Sequence, residues 1–385
     1  MNTAFDRPST VQRVLPVFRG FDGPLMVAVL ILSVMGLVVM YSAGYDHGTR
    51  FVTHARNLSL AFVVLFLVAQ MPPQRLMALA VPAYVLGVGL LLATAVYGTT
   101  KKGATRWLDV GGMVVQPSEM LKIAAPLMLA WWFQKREGHV RGSDYAVAGL
   151  ILLLPVALVI KQPDLGTGLL ILSAGLYVIF FAGVSWWFIL PLLALAVGGA
   201  IALVLSEPTI CQPTVDWPLL REYQRNRICT LLDPSRDPLG KGFHIIQGMI
   251  AIGAGGLTGR GFMAGTQTHL EFIPERTTDF IFAAFSEEFG LLGVLALVGA
   301  FSFLIIRALM IAGEAPTVFS RLLAGSIALS FFSYAFVNMG MVSGILPVVG
   351  VPLPFISYGG TAMVTLGLGL GILMSVARAR RLMQS

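Results

Sequence analysis

Asp279 is the carboxylate best placed in this sequence to do chemistry. It lies in a polar stretch from Gly259 to Gly290, GRGFMAGTQTHLEFIPERTTDFIFAAFSEEFG, rich in Gly, Thr and ionisable groups. Phe280, Ile281, Phe282 and a long apolar run follow at once. A carboxylate at a loop–helix boundary, flanked by Glu275, Arg276 and Thr278, can take a proton from a group lying at a bilayer surface. The same position is also a common helix N-cap. Spacing alone leaves both roles open.

Other ionisable groups fall in or beside apolar runs, where they are costly and usually face a cavity or each other. Glu119 and Lys122 are three apart, on one helix face, and can pair. They read either as a structural ion pair or as the lining of a polar cavity that opens outward. Lys161 and Asp164 flank a Pro break and can form a loop salt bridge. Arg106-Trp107 follows the dibasic Lys101-Lys102. A cation beside an interfacial Trp suits a phosphate at headgroup depth, and it equally suits an ordinary interface anchor. Leu346 to Gly360 is a Pro/Gly-broken entrance to the last apolar run, and it contains Ser357. Irregular backbone at membrane depth is tolerated where it is buried or lines a water-filled cavity. Cys211 and Cys229 share one polar loop without a Cys-x-x-Cys or Cys/His cluster, which argues against a thiolate metal site. A disulfide and two free thiols both remain open for them.

The elements that carry these groups are membrane helices. The chain is 56% hydrophobic and 12% charged, with a mean hydropathy of +0.82. A soluble domain carries roughly 25% charged residues. Half that share, with runs long enough to cross hydrocarbon, predicts an all-α polytopic membrane protein of about ten transmembrane helices. The net charge of +7 is assigned to loops and tails on one side of the membrane, not to a nucleic-acid site. The expected organisation is a cytoplasmic tail over 1–20, helices one to seven over 21–206, a large periplasmic loop over 207–279, helices eight to ten over 280–377, and a cytoplasmic tail over 378–385. The bias of Lys and Arg puts both termini, with Arg7, Arg13, Arg19, Arg378, Arg380 and Arg381, in the cytoplasm. The apolar segment from Phe243 to Ile252 is too short to span and reads as an interfacial or re-entrant helix. Trp186 and Trp187 read as an aromatic belt.

Three motifs in order, Phe272–Glu288, Gln116-Pro117-Ser118-Glu119 and Pro352-Leu353-Pro354-Phe355-Ile356-Ser357-Tyr358-Gly359-Gly360, closely resemble the SEDS family of shape, elongation, division and sporulation proteins. Pro274-Glu275-Arg276 ahead of Thr-Asp-Phe is similar to its RodA-type elongation branch. The resemblance covers about residues 20 to 380. It implies a peptidoglycan glycosyltransferase of the bacterial inner membrane that polymerises lipid II, with its active site on the periplasmic face. Asp279 matches the family's essential aspartate, Glu119 and Lys122 its polar pair, Arg56 a basic residue opening the second helix, and Trp107 an important tryptophan. Ser357 falls in the Pro/Gly segment. The implied partners are lipid II, the nascent glycan strand, membrane lipids and a class B penicillin-binding protein of the elongation complex, without nucleic acid.

An α-linked sugar diphosphate joined into a β-1,4 polymer requires inversion, and hence a base opposite the leaving group. Asp279 is the candidate. The undecaprenyl diphosphate leaving group needs positive charge, for which Arg56, Arg106, Lys122, Arg260 and Arg276 form the pool. A divalent cation, Mg or Mn, is the expected cofactor, with no assigned ligands. No nucleotide is expected, since no Walker or Rossmann pattern is present. The alternative is a lipid II flippase built on Glu119 and Lys122.

Overall fold

The computed structural model describes residues 21–384, apart from 47, 102–103, 111–112, 213–214, 216–221, 237–239, 271 and 274. Arg7, Arg13, Arg19 and Lys102 lie outside the described residues. Eight described helices are long and apolar enough to cross a membrane. These are α1 (Gly23–Ala43), α2 (Arg50–Ala69), α4 (Ala80–Tyr97), α6 (Gly142–Lys161), α8 (Trp186–Ile210), α12 (Ile281–Gly313), α13 (Val318–Val342) and α14 (Gly360–Gln384). Two shorter or more polar helices, α5 (Pro117–Lys135) and α7 (Leu165–Phe181), pack among them. The remaining elements are α3 (Pro73–Ala78), α9 (Glu222–Leu232), a 3₁₀ turn at Pro234–Arg236, α10 (Lys241–Gly255) and α11 (Thr266–His269). The chain is a multi-pass helical membrane protein.

Small residues let the helices approach. A Cβ on Gly367 of α14 would stand 2.4 Å from the Ala61 carbonyl oxygen, so α2 and α14 meet backbone to backbone. α13 is the most enclosed span, with 72% of its apolar window buried, and α8 the least, with none. Every described face of α8 therefore looks outward. Asp22 caps α1 by accepting from the Leu25 N–H at 3.0 Å, and it also binds Arg307 at 2.6 and 2.9 Å. Arg380 pairs with Glu314 beside it. The first and last spans thus begin and end at one end of the bundle, and Asp279 sits at the other.

The structure differs from the sequence reading in several places. The loop before α5 is a three-stranded antiparallel sheet, β1 (Thr99–Lys101), β2 (Ala104–Val110) and β3 (Met113–Val115), in the order β1-β2-β3. β1 and β3 have three residues each, too few for a pattern, and the seven of β2, ATRWLDV, do not alternate. The seventh span runs on to Ile210, past the expected boundary at 206. The last helix begins at Gly360, where the Pro/Gly-broken entrance ends: Pro352 and Pro354 break the run and Phe355 takes a left-handed φ of +65°. It continues through the expected tail to Gln384.

The eighth span hides a break. At Gly290 the backbone adopts φ +62° and ψ −164°, and the helical ladder is interrupted. The loop after α10 fills the gap. The N–H groups of Arg260 and Gly261 donate to the carbonyls of Glu287 and Glu288 at 2.9 and 3.0 Å. Those of Leu291 and Leu292 donate to Gly256 and Leu257 at 2.9 and 3.1 Å. Buried backbone groups that a continuous helix would satisfy internally are satisfied here by a second strand of chain. Only glycine fits, since a Cβ on residue 290 would meet the Gly259 nitrogen at 2.3 Å.

Candidate active site

Asp279 stands one residue outside the N-cap of α12, which is Phe280 and has no side-chain cap. The turn before it is internally braced. Thr278 and Phe280 N–H groups donate to the Glu275 carbonyl at 3.0 and 3.1 Å, and the Thr278 hydroxyl donates to the Glu275 carboxylate at 2.7 Å. Three successive carbonyls are then held from outside. Thr277 O accepts from the Tyr358 N–H at 2.8 Å, Thr278 O from the Ser357 hydroxyl at 2.7 Å, and Asp279 O from the Asn338 amide at 2.9 Å. The same Asn338 nitrogen donates to Val351 O at 2.7 Å, tying α13, the Pro/Gly segment and the Asp279 turn together. Ser357 also accepts from the Leu353 N–H at 2.8 Å. The Asp279 carboxylate points along the Gly350 turn, with Oδ2 3.3 Å from where a Gly350 Cβ would be. These contacts fix the backbone that carries the Asp279 carboxylate at one end of the bundle.

Two neighbours escaped the sequence reading. Asn338 is fully buried, and its signal was there: an amide inside the apolar run of α13. Arg50, at the start of α2, donates to the Thr277 hydroxyl and lies 5.9 Å from the Tyr358 ring centroid. Replacing Asn338 with Leu removes both of its donors without opening a cavity. We expect kcat to fall about tenfold or more, since displacing a reacting group by about 1 Å costs up to about 100-fold. KM should change little. A strand-synthesis assay with an equal fall in kcat and rise in KM would contradict this positioning role.

The candidate cations divide by what they already hold. Arg276 is 3% exposed and binds Asp46 at 2.5 Å and the Ala43 carbonyl at 3.0 Å, so it locks the turn onto the end of α1. Arg106 of β2 donates to the carbonyls of Gln162 and Pro163 at 3.2 and 2.5 Å. It also pairs with Asp164 at 3.7 Å. Asp164 is thus bound by Arg106, not by Lys161, and it caps α7 through the Thr167 N–H at 3.2 Å. Trp107, next to Arg106 in β2, is half-buried opposite Thr99. Arg56 is exposed on α2, one position before Asn57, which faces Gly360. Arg260 is exposed and donates through Nε to the Ala254 carbonyl at 3.0 Å. Among the described residues, neither Arg56 nor Arg260 has a carboxylate partner.

Glu119 and Lys122 form their own centre. They pair at 2.6 Å, the Thr365 hydroxyl donates to Glu119 at 3.3 Å, and Lys122 lies 5.3 Å from the Tyr334 ring centroid. Lys122 lines a small, partly open cavity among α5, α7, α13 and α14. It is buried there, while Glu119 is partly exposed beside it. Lys122→Met alone should cost about 3–5 kcal/mol by stranding Glu119, and much of that should return in Lys122→Met/Glu119→Gln. Thermal melting of the three variants tests it: an additive double variant would refute the pairing energy. Cys211, at the end of α8, is bridged to Cys229 of α9, which closes the question left open by their sequence.

A family model for cell cycle proteins, that of FtsW, RodA and SpoVE, matches residues 24–382. The chain is 44% identical to the peptidoglycan glycosyltransferase MrdB of Escherichia coli, over 94% of this chain and 95% of that one. It is 29% identical to the peptidoglycan glycosyltransferase RodA of Treponema pallidum, over 94% and 98%. A chain in a structure describing how a peptidoglycan synthase complex coordinates polymerization and crosslinking superposes with a TM-score of 0.77 at 33% identity, covering 94% and 98%. The rod shape determining protein RodA of Thermus thermophilus superposes at 0.69 with 28% identity, over 94% and 98%. With its motifs in order and the family's bundle around them, the chain belongs to the FtsW/RodA/SpoVE family of cell cycle proteins, the SEDS family.

Proposed function

We propose that the chain is a peptidoglycan glycosyltransferase of the elongation type, polymerising lipid II into β-1,4 glycan strands at the outer face of the bacterial inner membrane. The observation that carries this reading is the Asp279 turn, whose three successive backbone carbonyls are held at a membrane-helix boundary by donors from other elements, in a chain so similar to named glycosyltransferases. The 4-hydroxyl oxygen of one sugar attacks the anomeric carbon of the other. Its proton passes to Asp279, the new C–O bond forms, and the bond to undecaprenyl diphosphate breaks on the opposite face. Glu275 and Thr278 hold the turn, while Ser357 and Asn338 hold the backbone. Arg56 is assigned to the diphosphate, because Arg106, Lys122 and Arg276 of the pool are each paired with a carboxylate and Arg260 stands on the 256–261 loop with its Nε on the Ala254 carbonyl. Trp107 and Arg106 shape the mouth from β2.

A divalent cation stays part of the proposal: Mg or Mn bound through one or two carboxylates and the substrate's own phosphates would neutralise the leaving group together with arginine. The orientation follows, with both termini cytoplasmic and the Asp279 end periplasmic. A class B penicillin-binding protein is the proposed partner, in line with the synthase complex to which the fold is similar. The deciding experiment is strand synthesis from labelled lipid II by the purified chain, with and without that partner. Polymer ladders support the assignment. Lipid II translocation in vesicles without any ladder would replace it with the flippase that the Glu119–Lys122 pair also permits.

A further inference from the structure

The loop stitched into the break at Gly290 carries more apolar surface than a water-facing loop needs. Leu257 is 69% exposed, Phe262 49% and Met263 42%. Their surroundings are apolar too. Phe262 stacks on exposed Tyr41 at a centroid distance of 6.3 Å, and the Leu257 carbonyl accepts from the N–H of Leu292, itself 61% exposed. The patch is therefore continuous with the outward faces of α1 and α12.

Its depth follows from helix rise. The Asp22–Arg307 ion pair joins the far ends of α1 and α12. From that pair, Tyr41 lies about 28 Å and Leu291 about 24 Å along straight helix at 1.5 Å per residue. The hydrocarbon core is about 30 Å thick. The patch thus sits at the edge of the acyl region, where an aromatic ring and a nearby cation are the side chains that anchor a protein. Exposed Arg260 stands between Leu257 and Phe262 in sequence with its Nε on Ala254 O, and long cationic side chains at this depth snorkel toward the headgroups.

We propose that segment 257–263 docks on the bilayer surface itself, with Leu257, Phe262 and Met263 entering the acyl edge and Arg260 meeting a phospholipid phosphate. Because this segment supplies the backbone partners of residues 287, 288 and 292, membrane contact bears directly on the helix that follows Asp279. The inference rests on the membrane fold and holds whether or not the chain is a glycosyltransferase.

The test uses full-length chain in phosphatidylglycerol/phosphatidylcholine nanodiscs, with the Cys211–Cys229 bridge intact. Single cysteines are introduced by Leu257→Cys, Phe262→Cys and, as an exposed control, Thr266→Cys, and labelled with an environment-sensitive fluorophore. Docking predicts quenching at 257 and 262 by lipids carrying a nitroxide high on the acyl chain, at least about twofold stronger than at 266. Aqueous iodide should show the reverse order. Arg260→Glu should weaken the lipid quenching at 262. Iodide quenching at 257 and 262 equal to that at 266 would overturn the proposal. Protection from both quenchers would also overturn it, since a protein surface would then cover the patch. The two labelling sites are independent, so loss of folding in one leaves the other to decide.

Discussion

Asp279→Asn is expected to lower kcat for strand synthesis by roughly 10³-fold, within the range that general-base removal usually costs. The substitution keeps the side chain's size and removes its basicity. The backbone contacts that position residue 279 run through the carbonyl oxygens of Thr277, Thr278 and Asp279, and asparagine, equal in size and still a hydrogen-bond acceptor, retains all three. The α12 N-cap is Phe280, one residue on. Melting temperature and lipid II binding should therefore stay close to those of the parent. Asp279→Glu gives a second reading: it restores the base but moves it by one methylene, and a residual loss of about 100-fold is expected from misplacement alone. Equal ladders from parent and Asp279→Asn would remove the carboxylate from the mechanism. A large fall in melting temperature would show a structural role instead.

What could be read in the sequence was whatever depended on local pattern. The spans were visible because apolar runs of that length have no other stable home than a membrane helix. Asp279 was visible because a polar island meets an apolar run there. The Glu119–Lys122 pair was visible because residues three apart share a helix face. What escaped depended on distant partners. Arg276 seemed available for phosphate until the fold brought Asp46 and the end of α1 against it, 230 residues away in sequence. Arg106 was likewise claimed by carbonyls 56 and 57 residues on. The break at Gly290 lay inside an apolar run, where glycine is common and carries no warning. Its necessity appears only with the 256–261 loop packed against it. Asn338 could have been found by asking of a buried amide what it bonds.

Glu287→Ala is the substitution expected to harm the fold most. Glu287 is fully buried in the first part of α12. Its carboxylate accepts four hydrogen bonds: from the Thr266 hydroxyl at 3.1 Å, the Gln267 N–H at 2.8 Å, the Thr268 N–H at 3.1 Å and the Thr268 hydroxyl at 3.0 Å. It thus serves as the cap of the short helix α11 from a distance, and negative charge at a helix start is favourable. Exposed Thr266 can turn to water once the carboxylate is gone. Thr268 is fully buried and cannot, so its two donors, with the Gln267 N–H, are stranded. At about 1–3 kcal/mol for each of three stranded donors, the loss is about 3–9 kcal/mol, a large part of the 5–15 kcal/mol typical of a whole protein. Glu287→Gln keeps an acceptor oxygen but turns an amide toward donors, and should fall between parent and Ala. Neighbouring Glu288, which accepts from Ser42 of α1, cannot take over, since its carboxylate is engaged with a different helix. Thermal unfolding in detergent orders the three proteins. If Ala melted with the parent, the carboxylate would not be what holds segment 265–269 to α12.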